Sequence, residues 1–295
     1  THPADAMFNF VPAWVYNQTP SAPAGFTAAA ASDTDLKVRL SWTNPAATLD
    51  GTPLETIEQV VVMRDNEVVA TITDAIPGAT LEFEDVGVPR YDVFHYAVYA
   101  VANGRIGKHA NVMKVLVGPS CPWQVIMTTT DIQGWKGGAV TAYSATGREI
   151  ERMTITTSTT VQVNPNLPLG HVSFGWTVPE ETVSQMAFVI KDANGQTVYS
   201  FSGASDALPS GVFFETNNNC GGEMVCETPQ NLVASFHDDA ILLTWDAVEN
   251  PGYGYNVYRD GLLYRLVQED NAFLDEQPTI GGHCYQVAVL CDGGE

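Results

Sequence analysis

The residues best suited to chemistry lie between positions 127 and 140, in the sequence MTTTDIQGWKGGAV. Asp131 offers an oxygen ligand of the kind that calcium prefers, and Trp135 offers a flat apolar face for a sugar ring or a peptide. Trp123 and Trp176 are candidate companions of Trp135. The alternative is that Trp135 folds back over its own loop and caps a hydrophobic core. Trp135, Asp131 and Trp123 are therefore the candidate ligand-binding residues.

The sequence shows no catalytic pattern. It contains no G-x-S-x-G elbow, no H-E-x-x-H pair, no phosphate-binding P-loop and no G-x-G-x-x-G fingerprint. No histidine is followed by another histidine four residues later. Acid pairs such as Glu180-Glu181 lie in polar turn sequences, where solvated carboxylates are expected. We therefore expect no enzyme, no catalytic residue, no resident metal and no cofactor.

The charge balance excludes several partners. Thirty-four acidic residues against thirteen basic residues give a formal net charge of −21. Such a surface repels nucleic acid and anionic lipid, and it keeps a β-protein soluble and monomeric. No apolar run reaches the roughly 18 residues that a membrane-spanning helix needs. We expect a monomer that binds no nucleic acid and does not insert into membranes. Attraction of cations is the alternative role of the charge.

The five cysteines indicate an oxidising compartment. None belongs to a CxxC pair, and zinc-ligand spacing is absent. Cys121 and Cys220 bracket a stretch of domain size whose ends should lie close together in a β-sandwich, so they are predicted to pair. An odd number leaves one sulfur without an intramolecular partner. These features favour an extracellular or cell-surface location.

Strand patterns cover the whole chain. Segments such as LKVRLSW, TLEFEDV and VFHYAVYAV alternate or run apolar with β-branched and aromatic residues, and no segment sustains helical periodicity over three turns. The predicted class is all-β. Stretches rich in Pro, Gly and Asn punctuate the chain as linkers. The predicted divisions are an N-terminal segment or linker at 1–20 and three β-sandwich domains at 21–119, 120–222 and 223–295.

An internal repeat links the first and last of these domains. VRLSWTNP precedes VVVMRDNEVVATI in the first, and ILLTWDAV precedes YNVYRDGLLYRLV in the last. Asp-Asn and Asp-Gly between apolar runs are strong signals for two-residue hairpins, because both residues must accept positive φ. Trp42 and Trp245 fall where a strand turns a large side chain into a sandwich core. Tyr96 and Tyr285 follow on a later aromatic strand.

The two repeated segments resemble fibronectin type III domains, through a tryptophan on the second strand, a Y-x-V-x-R-D-G-like hairpin and a later tyrosine strand. The resemblance covers about residues 22–118 and 227–295. The first particularly resembles modules of surface adhesins and secreted proteases of Gram-negative anaerobes, of the gingipain and haemagglutinin-adhesin type. There is no Arg-Gly-Asp tripeptide, so integrin binding is not implied.

The last domain departs from the family because the sequence stops where a seventh strand should follow. Either the parent protein continues, which we favour, or a partner supplies the strand. In a fibronectin-like sandwich the start of the first strand and the end of the sixth lie at the same pole. The resemblance therefore makes Cys226–Cys291 the plausible second disulfide. Cys284 and Cys291 lie too far apart on one strand to pair, which leaves Cys284 without an assigned partner.

The middle domain resembles a jelly-roll-like β-sandwich module of the same adhesins and proteases, whose hallmark is an acidic D-x-x-G-D-G-W-N-G loop. Residues 134–137, GWKG, match its second half. The two family aspartates would fall on Thr129 and Gln133, which are neutral. If those acids bind calcium, this copy has lost most of the charge, and Asp131 alone is a weak calcium site. The loop is thus expected to be a retained turn with a degraded ion site.

The resemblance implies a non-catalytic adhesion or binding region of a secreted or cell-surface bacterial multidomain protein. Its expected partner is an extracellular protein or glycan. The alternative is an accessory substrate- or glycan-binding region of an extracellular protease or glycosidase whose catalytic domain lies outside this chain. A purely structural spacer is a third hypothesis.

Overall fold

A computed structural model describes residues 18–222 and 226–291 of the chain. Residues 1–17 of the N-terminal segment predicted at 1–20 therefore lie outside the described residues. The all-β prediction is confirmed. In the described part of the chain, a single 3-10 turn, Ser205–Ala207, is the one helical element among the strands. The chain divides into two compact units. The first contains 1–31, 37–88 and 94–115, and the second contains 32–36, 89–93 and 116–295.

Eight strands form the first sandwich. One sheet has the order β1-β2-β5, and the other has the order β4-β3-β6-β7 with β8 also paired to β6. The strands are β1 Ala24–Ala30, β2 Val38–Thr43, β3 Gln59–Arg64, β4 Glu67–Ile72, β5 Thr80–Asp85, β6 Asp92–Ala102, β7 Arg105–Ile106 and β8 Met113–Val117.

The core of this sandwich follows the alternation of its strands. In β2, Val38, Leu40 and Trp42 point inward and are at most 2% exposed, whereas Arg39 between them is exposed. The hairpin between β3 and β4 turns at Asp65 and Asn66, whose φ angles are 51° and 69°. Both the core position of Trp42 and the predicted hairpin are confirmed.

The middle sandwich consists of two four-stranded sheets of order β13-β10-β16-β17 and β12-β11-β15-β18, with a small β14-β9 pair. Hairpins at residues 145–147 and 194–195 join neighbouring strands, as predicted, with positive φ at Gly147 and Gly195. The strands are β9 Ser120–Pro122, β10 Gln124–Thr129, β11 Ala139–Tyr143, β12 Glu149–Met153, β13 Thr160–Val163, β14 Asn166–Pro168, β15 Gly170–Thr177, β16 Met186–Lys191, β17 Thr197–Gly203 and β18 Gly211–Asn218.

Among the described residues, six strands form the last sandwich, in sheets of order β19-β20-β23 and β22-β21-β24. Its small core is built around Leu243, Trp245 and Val257, which are at most 3% exposed. Asp260 and Gly261 make the predicted hairpin, with φ angles of 55° and 79°. The strands are β19 Val233–His237, β20 Ala240–Thr244, β21 Tyr255–Arg259, β22 Leu262–Val267, β23 Ala272–Asp275 and β24 Tyr285–Val289.

A buried aspartate organises polar contacts inside the first sandwich. The Asp85 carboxylate, at the end of β5, accepts hydrogen bonds from Arg64 Nη1 at 2.6 Å and from the Tyr96 hydroxyl at 2.9 Å. The side chains of Asp85 and Arg64 are only 5% and 16% exposed. Burial, together with the neighbouring Asp85 charge, raises the pKa of Tyr96. The tyrosine therefore stays a neutral donor to the carboxylate.

The last sandwich repeats this arrangement around Asp275. Its carboxylate accepts hydrogen bonds from Arg259 Nη1 at 2.9 Å and from the Tyr285 hydroxyl at 2.6 Å. Burial alone would raise the pKa of Asp275, but the hydrogen bonds from Tyr285 and Arg259 outweigh it and hold the pKa below its usual range. Asp275 is thus charged and paired in the folded protein.

Two disulfides are present, Cys121–Cys220 and Cys226–Cys291, and these are the two pairings predicted from the sequence. Cys284 is exposed and carries a free thiol. Cross-links of this kind are typical of oxidising compartments. Within the residues that the structure describes, no helix has the length and apolar character needed to cross a membrane.

Candidate ligand-binding site

The loop after β10 is a tight turn held by its own backbone. Gly134 N–H donates to Asp131 O at 3.0 Å, and Trp135 N–H donates to Ile155 O at 2.8 Å. Gly134 has φ of 72°, and a Cβ there would collide with the Ile155 carbonyl oxygen. Glycine is required at this position because no other residue combines that φ with that close approach.

Trp135 is fully buried, with 0% of its surface exposed. Its indole packs edge-on against Trp176, with ring centroids 5.6 Å apart, and Nε1 donates to the Thr128 carbonyl at 3.2 Å. Trp135 therefore caps the core, as the alternative hypothesis predicts. The prediction that Trp135 is a ligand platform is wrong. Burying the large apolar ring in the core is more favourable than leaving it in water.

Trp123 is also buried, at 3% exposure, and its indole N–H donates to Asn218 Oδ1 at 2.9 Å. Asn218 in turn donates to the Leu167 and Pro168 carbonyls, both at 2.9 Å, beside the Cys121–Cys220 disulfide. Trp123 thus closes one end of the sandwich and offers no face to a ligand. The companion candidate Trp176 is 2% exposed and is excluded on the same ground.

Asp131 is occupied by its own loop. Its carboxylate accepts the Gln133 N–H at 2.9 Å and pairs with Lys136 Nζ at 3.3 Å. The Gln133 hydrogen bond and then Lys136 lower the pKa of Asp131, and the bonds to Glu181 and Asp131 raise the pKa of Lys136. A lysine stands where a calcium ion would need further oxygen ligands. In the described part of the chain, no group of three or more His, Cys, Asp or Glu is arranged to hold a metal ion.

The same stretch contributes to a cleft of about 660 Å³ at one end of the middle sandwich. This volume lies within the range of small-molecule sites, about 300–1,000 Å³. We call it the hydroxyl cleft, because five threonines, two serines and a glutamine dominate its lining. The lining residues are Thr128, Thr129, Thr130, Thr159, Thr160, Ser184, Gln185, Met186, Ala187, Ser202 and Gly203.

Strand register places one row of these side chains on the outer face of the sheet. Thr160 lies opposite Thr128, Thr128 opposite Ala187, and Ala187 opposite Ser202. Directly opposed residues point to the same face. The alternating burial of β10, with Met127 and Thr129 inward, shows that this row faces solvent. The row is therefore a path of small hydroxyl side chains across four strands.

The cleft can bind by hydrogen bonds and does not supply acid–base chemistry. Each serine or threonine hydroxyl both donates and accepts, and the glutamine amide does the same through two atoms. The lining contains no acid, base, histidine or cysteine. Ala187 and Gly203 add little bulk to the lining. It is an uncharged surface in a protein of net charge −21.

Sequence reasoning missed the hydroxyl cleft and singled out its neighbours instead. The run Thr128-Thr129-Thr130 was a visible signal within the MTTTD segment. Thr160 and Ser202 are distant in sequence, however, and only the pairing of β13 and β17 with their neighbours brings them beside Thr128. The buried Asp85 and Asp275 were likewise missed, because acids at strand ends commonly face solvent.

Comparison with known proteins gives weak similarities. No family model and no curated protein matches the chain. A central fibronectin-III array of RIM-binding protein is 15% identical over 90% of this chain and 89% of its own, with a TM-score of 0.24. Fibronectin(III)-like modules of Clostridium thermocellum CbhA are 12% identical over 63% and 88%, with a TM-score of 0.23. The exotype rhamnogalacturonan lyase YesX is 14% identical over 95% and 40%, also at 0.23. Such distant similarity does not assign a function.

Proposed function

We propose that this chain is a non-catalytic binding region of an extracellular multidomain protein, and that the hydroxyl cleft binds an uncharged glycan. The observation that carries the proposal is the neutral lining of the cleft. The hydroxyl groups of Thr160, Thr128 and Ser202 form a row along this lining. Adhesion to a glycan-bearing surface is the role that this site supports best.

The chemistry of the lining favours sugar hydroxyls over charged ligands. A ligand binds more weakly when it covers protein hydroxyl groups without forming hydrogen bonds to them. A ligand rich in hydroxyl groups can form these hydrogen bonds, because each of its hydroxyls both donates and accepts. A phosphate or carboxylate ligand would meet no cation in the cleft and would be repelled by the overall charge. Because the cleft has no aromatic ring to stack on a sugar, we expect weak binding at each site.

An array of neutral polysaccharides and matrix proteins tests the proposal with the full chain. We expect retention on neutral polysaccharide, weakened by Ala187→Arg, because a long side chain at the centre of the row fills the cleft. Thr197→Ala on β17 is the matched control, since Thr197 is exposed on the same sheet but does not line the cleft. We expect Ala187→Arg to lower the affinity at least tenfold, and a tenfold loss corresponds to about 1.4 kcal/mol.

Four outcomes separate the hypotheses. Retention on polysaccharide that Ala187→Arg abolishes supports the cleft. Retention on a matrix protein that Ala187→Arg leaves unchanged contradicts the cleft and favours protein adhesion. No retention on either class contradicts the binding proposal and favours a structural spacer. Preference for a polysaccharide that a linked hydrolase degrades would identify the accessory role.

A further inference from the structure

The sheet that carries the hydroxyl cleft is almost free of charge. Its strands β10, β13, β16 and β17 contain no acidic residue and one charged residue, Lys191. The opposite sheet of the same sandwich contains Glu149, Glu151 and Glu215. In a chain with a net charge of −21, a sheet without acids is an exception. A ligand that covers this sheet therefore buries no carboxylate, and burying an unpaired carboxylate is costly.

A second row of side chains lies beside the hydroxyl row on the same face of the sheet. Gln162 lies opposite Ile126, Ile126 opposite Val189, and Val189 opposite Ser200. Each of these residues is two positions along its strand from a member of the hydroxyl row, so both rows face solvent. The distance between the rows is about 7 Å.

The two rows give this face a polar–apolar–polar order from one edge strand to the other. The edge strands β13 and β17 contribute exposed polar side chains, which are Thr160, Gln162, Ser200 and Ser202. The central strands β10 and β16 contribute half-buried side chains, which are the apolar Ile126, Ala187 and Val189 together with Thr128. We call these eight residues the striped face.

The polar edges of the striped face have unused hydrogen-bonding capacity. Among the described residues, the hydroxyl groups of Thr160, Ser200 and Ser202 make no hydrogen bond. Gln162 donates through Nε2 to Asn164 Oδ1 at 3.2 Å, which leaves its amide oxygen available. Each hydroxyl group both donates and accepts, and none of these groups is charged. Both edges can therefore pair with the hydroxyl groups of a ligand.

The apolar centre of the striped face suits the flat side of a sugar ring. A pyranose carries C–H groups on its faces and hydroxyl groups around its rim. One sugar unit can therefore pack on Ile126 and Val189 while its hydroxyl groups point outward, and this contact removes both apolar surfaces from water. The striped face contains no aromatic residue, so the contact with each ring is small and several units must bind together.

The width of the striped face sets the length of the ligand. Neighbouring strands lie about 4.8 Å apart, so the row from Thr160 to Ser202 spans about 14 Å. One sugar unit of an extended polysaccharide is about as long as one interval between strands. A chain that crosses the sheet therefore needs three consecutive units to touch both edges. A single sugar on the apolar centre cannot span them.

We propose that the striped face binds the interior of an extended neutral polysaccharide, of the β-1,4-linked glucan, mannan or xylan type. The chain crosses the strands from β13 to β17 with three sugar units in contact, and its ends lie beyond the edge strands. This inference rests on the proposed function, because the hydroxyl cleft lies along its first row. It adds the shape of the ligand, its direction on the sheet and its contact with Ile126 and Val189.

The test measures affinity against ligand length with the full chain. The probes are β-1,4-linked oligomers of glucose, mannose and xylose, each from one to six units, titrated by NMR. For the series that binds best, we expect about tenfold higher affinity for three units than for one, and at most about a twofold further gain for six units. Reduction of the terminal aldehyde of the hexamer with borohydride should leave its affinity unchanged, because the chain end makes no contact.

Two variants with a matched control locate the ligand on the sheet. Ile126→Thr keeps a β-branched side chain but replaces apolar surface by a hydroxyl group, so the affinity for three units should fall about fivefold. Ser200→Ala removes one edge contact and should lower the affinity for three units about threefold, with a smaller loss for one unit. Thr197→Ala should change neither affinity, because Thr197 is exposed on β17 but lies outside both rows. Ser200 is exposed, so Ser200→Ala keeps the test valid if Ile126→Thr fails to fold.

The other outcomes of these titrations overturn the inference. Equal affinity for one unit and for three units shows that the site binds a single sugar. Loss of affinity on borohydride reduction shows that it binds a chain end. Unchanged affinity in both Ile126→Thr and Ser200→Ala shows that the chain does not lie on the striped face.

The inference and the proposed function fail in different ways. Suppose that none of the three series binds, but the protein retains a coiled polysaccharide such as dextran and loses it with Ala187→Arg. The hydroxyl cleft then stands, and the extended chain on the striped face is contradicted. Retention of a matrix protein alone, or of nothing, contradicts both.

Discussion

The first and last sandwiches have the same strand connectivity and the same buried polar centre, but they differ at their edges. Arg64, Asp85 and Tyr96 in the first correspond to Arg259, Asp275 and Tyr285 in the last. In the first, β8 pairs with β6, whereas β24 ends its sheet among the described residues of the last. The buried polar centre is therefore common to both sandwiches.

A second difference concerns the buried tryptophans. Trp42 Nε1 donates to Asn44 Oδ1 at 2.9 Å, and Asn44 also donates to the Ile76 carbonyl at 3.0 Å. Trp245 Nε1 is buried and has no hydrogen-bond partner within the part of the chain that the structure describes. The residue two positions after Trp245 is Ala247, so the side chain that satisfies the indole in the first sandwich is missing from the last.

These differences show which contacts the fold depends on. A buried charge without its partners costs several kcal/mol, so the aspartate, arginine and tyrosine must be kept together. A buried indole N–H without an acceptor lowers the free energy of unfolding by about 1–3 kcal/mol. The last sandwich, which is cross-linked by a disulfide, tolerates this loss.

The largest effect should come from removing the buried aspartates. Asp85→Ala and Asp275→Ala should each lower the free energy of unfolding of their own sandwich by about 3–5 kcal/mol, because an arginine is left buried without its partner. Urea unfolding followed by residue-resolved hydrogen exchange measures each sandwich. Glu84→Ala is the control, since its pair with Arg39 is exposed and should contribute about 0–1 kcal/mol. Equal losses for Asp85→Ala and Glu84→Ala would contradict the shared centre.

A smaller effect should follow from exchanging the residue beside the tryptophan. Asn44→Ala should cost the first sandwich about 1–3 kcal/mol, because it leaves the Trp42 indole unpaired as in the last sandwich. Ala247→Asn should stabilise the last sandwich by about 1 kcal/mol by supplying an acceptor to Trp245. Thermal unfolding of both variants against the parent chain measures this. If Ala247→Asn brings no gain, the two sites are not equivalent.

The smallest effect concerns the histidines beside the hairpins. His283 Nδ1 lies 2.7 Å from Asp260 Oδ2, whereas His95 Nδ1 lies 3.7 Å from Asp65 Oδ1. The hydrogen bond to Asp260 raises the pKa of His283. The stability that this pair contributes is therefore complete below the ordinary histidine pKa and is lost as pH rises through the pKa of His283.

An NMR titration of the two imidazoles checks this directly. We expect a higher midpoint for His283 than for free histidine, and a fall towards the ordinary value in Asp260→Asn. A midpoint for His283 at or below the ordinary value would show that the contact with Asp260 does not hold in solution.

Much of the fold could be predicted from local patterns. Alternating strands, the Asp-Asn and Asp-Gly hairpins and the buried Trp42 and Trp245 all follow from period-two burial and from turn chemistry. Both disulfide pairings also agree with the structure. The prediction that Trp135 and Trp123 bind a ligand was wrong. Whether these side chains face the core or solvent depends on how the second sheet packs against the first.

The sequence by itself determined the all-β class, the repeat and the cross-links. Only the tertiary structure decided that Thr128, Thr160 and Ser202 form one cleft and that Trp135 and Trp123 face the core. The physical reason is register. Side chains alternate every residue along a strand, so a partner one position away would turn each of them to the other face. That choice is made by sheet pairing between distant segments, which no single stretch of sequence specifies.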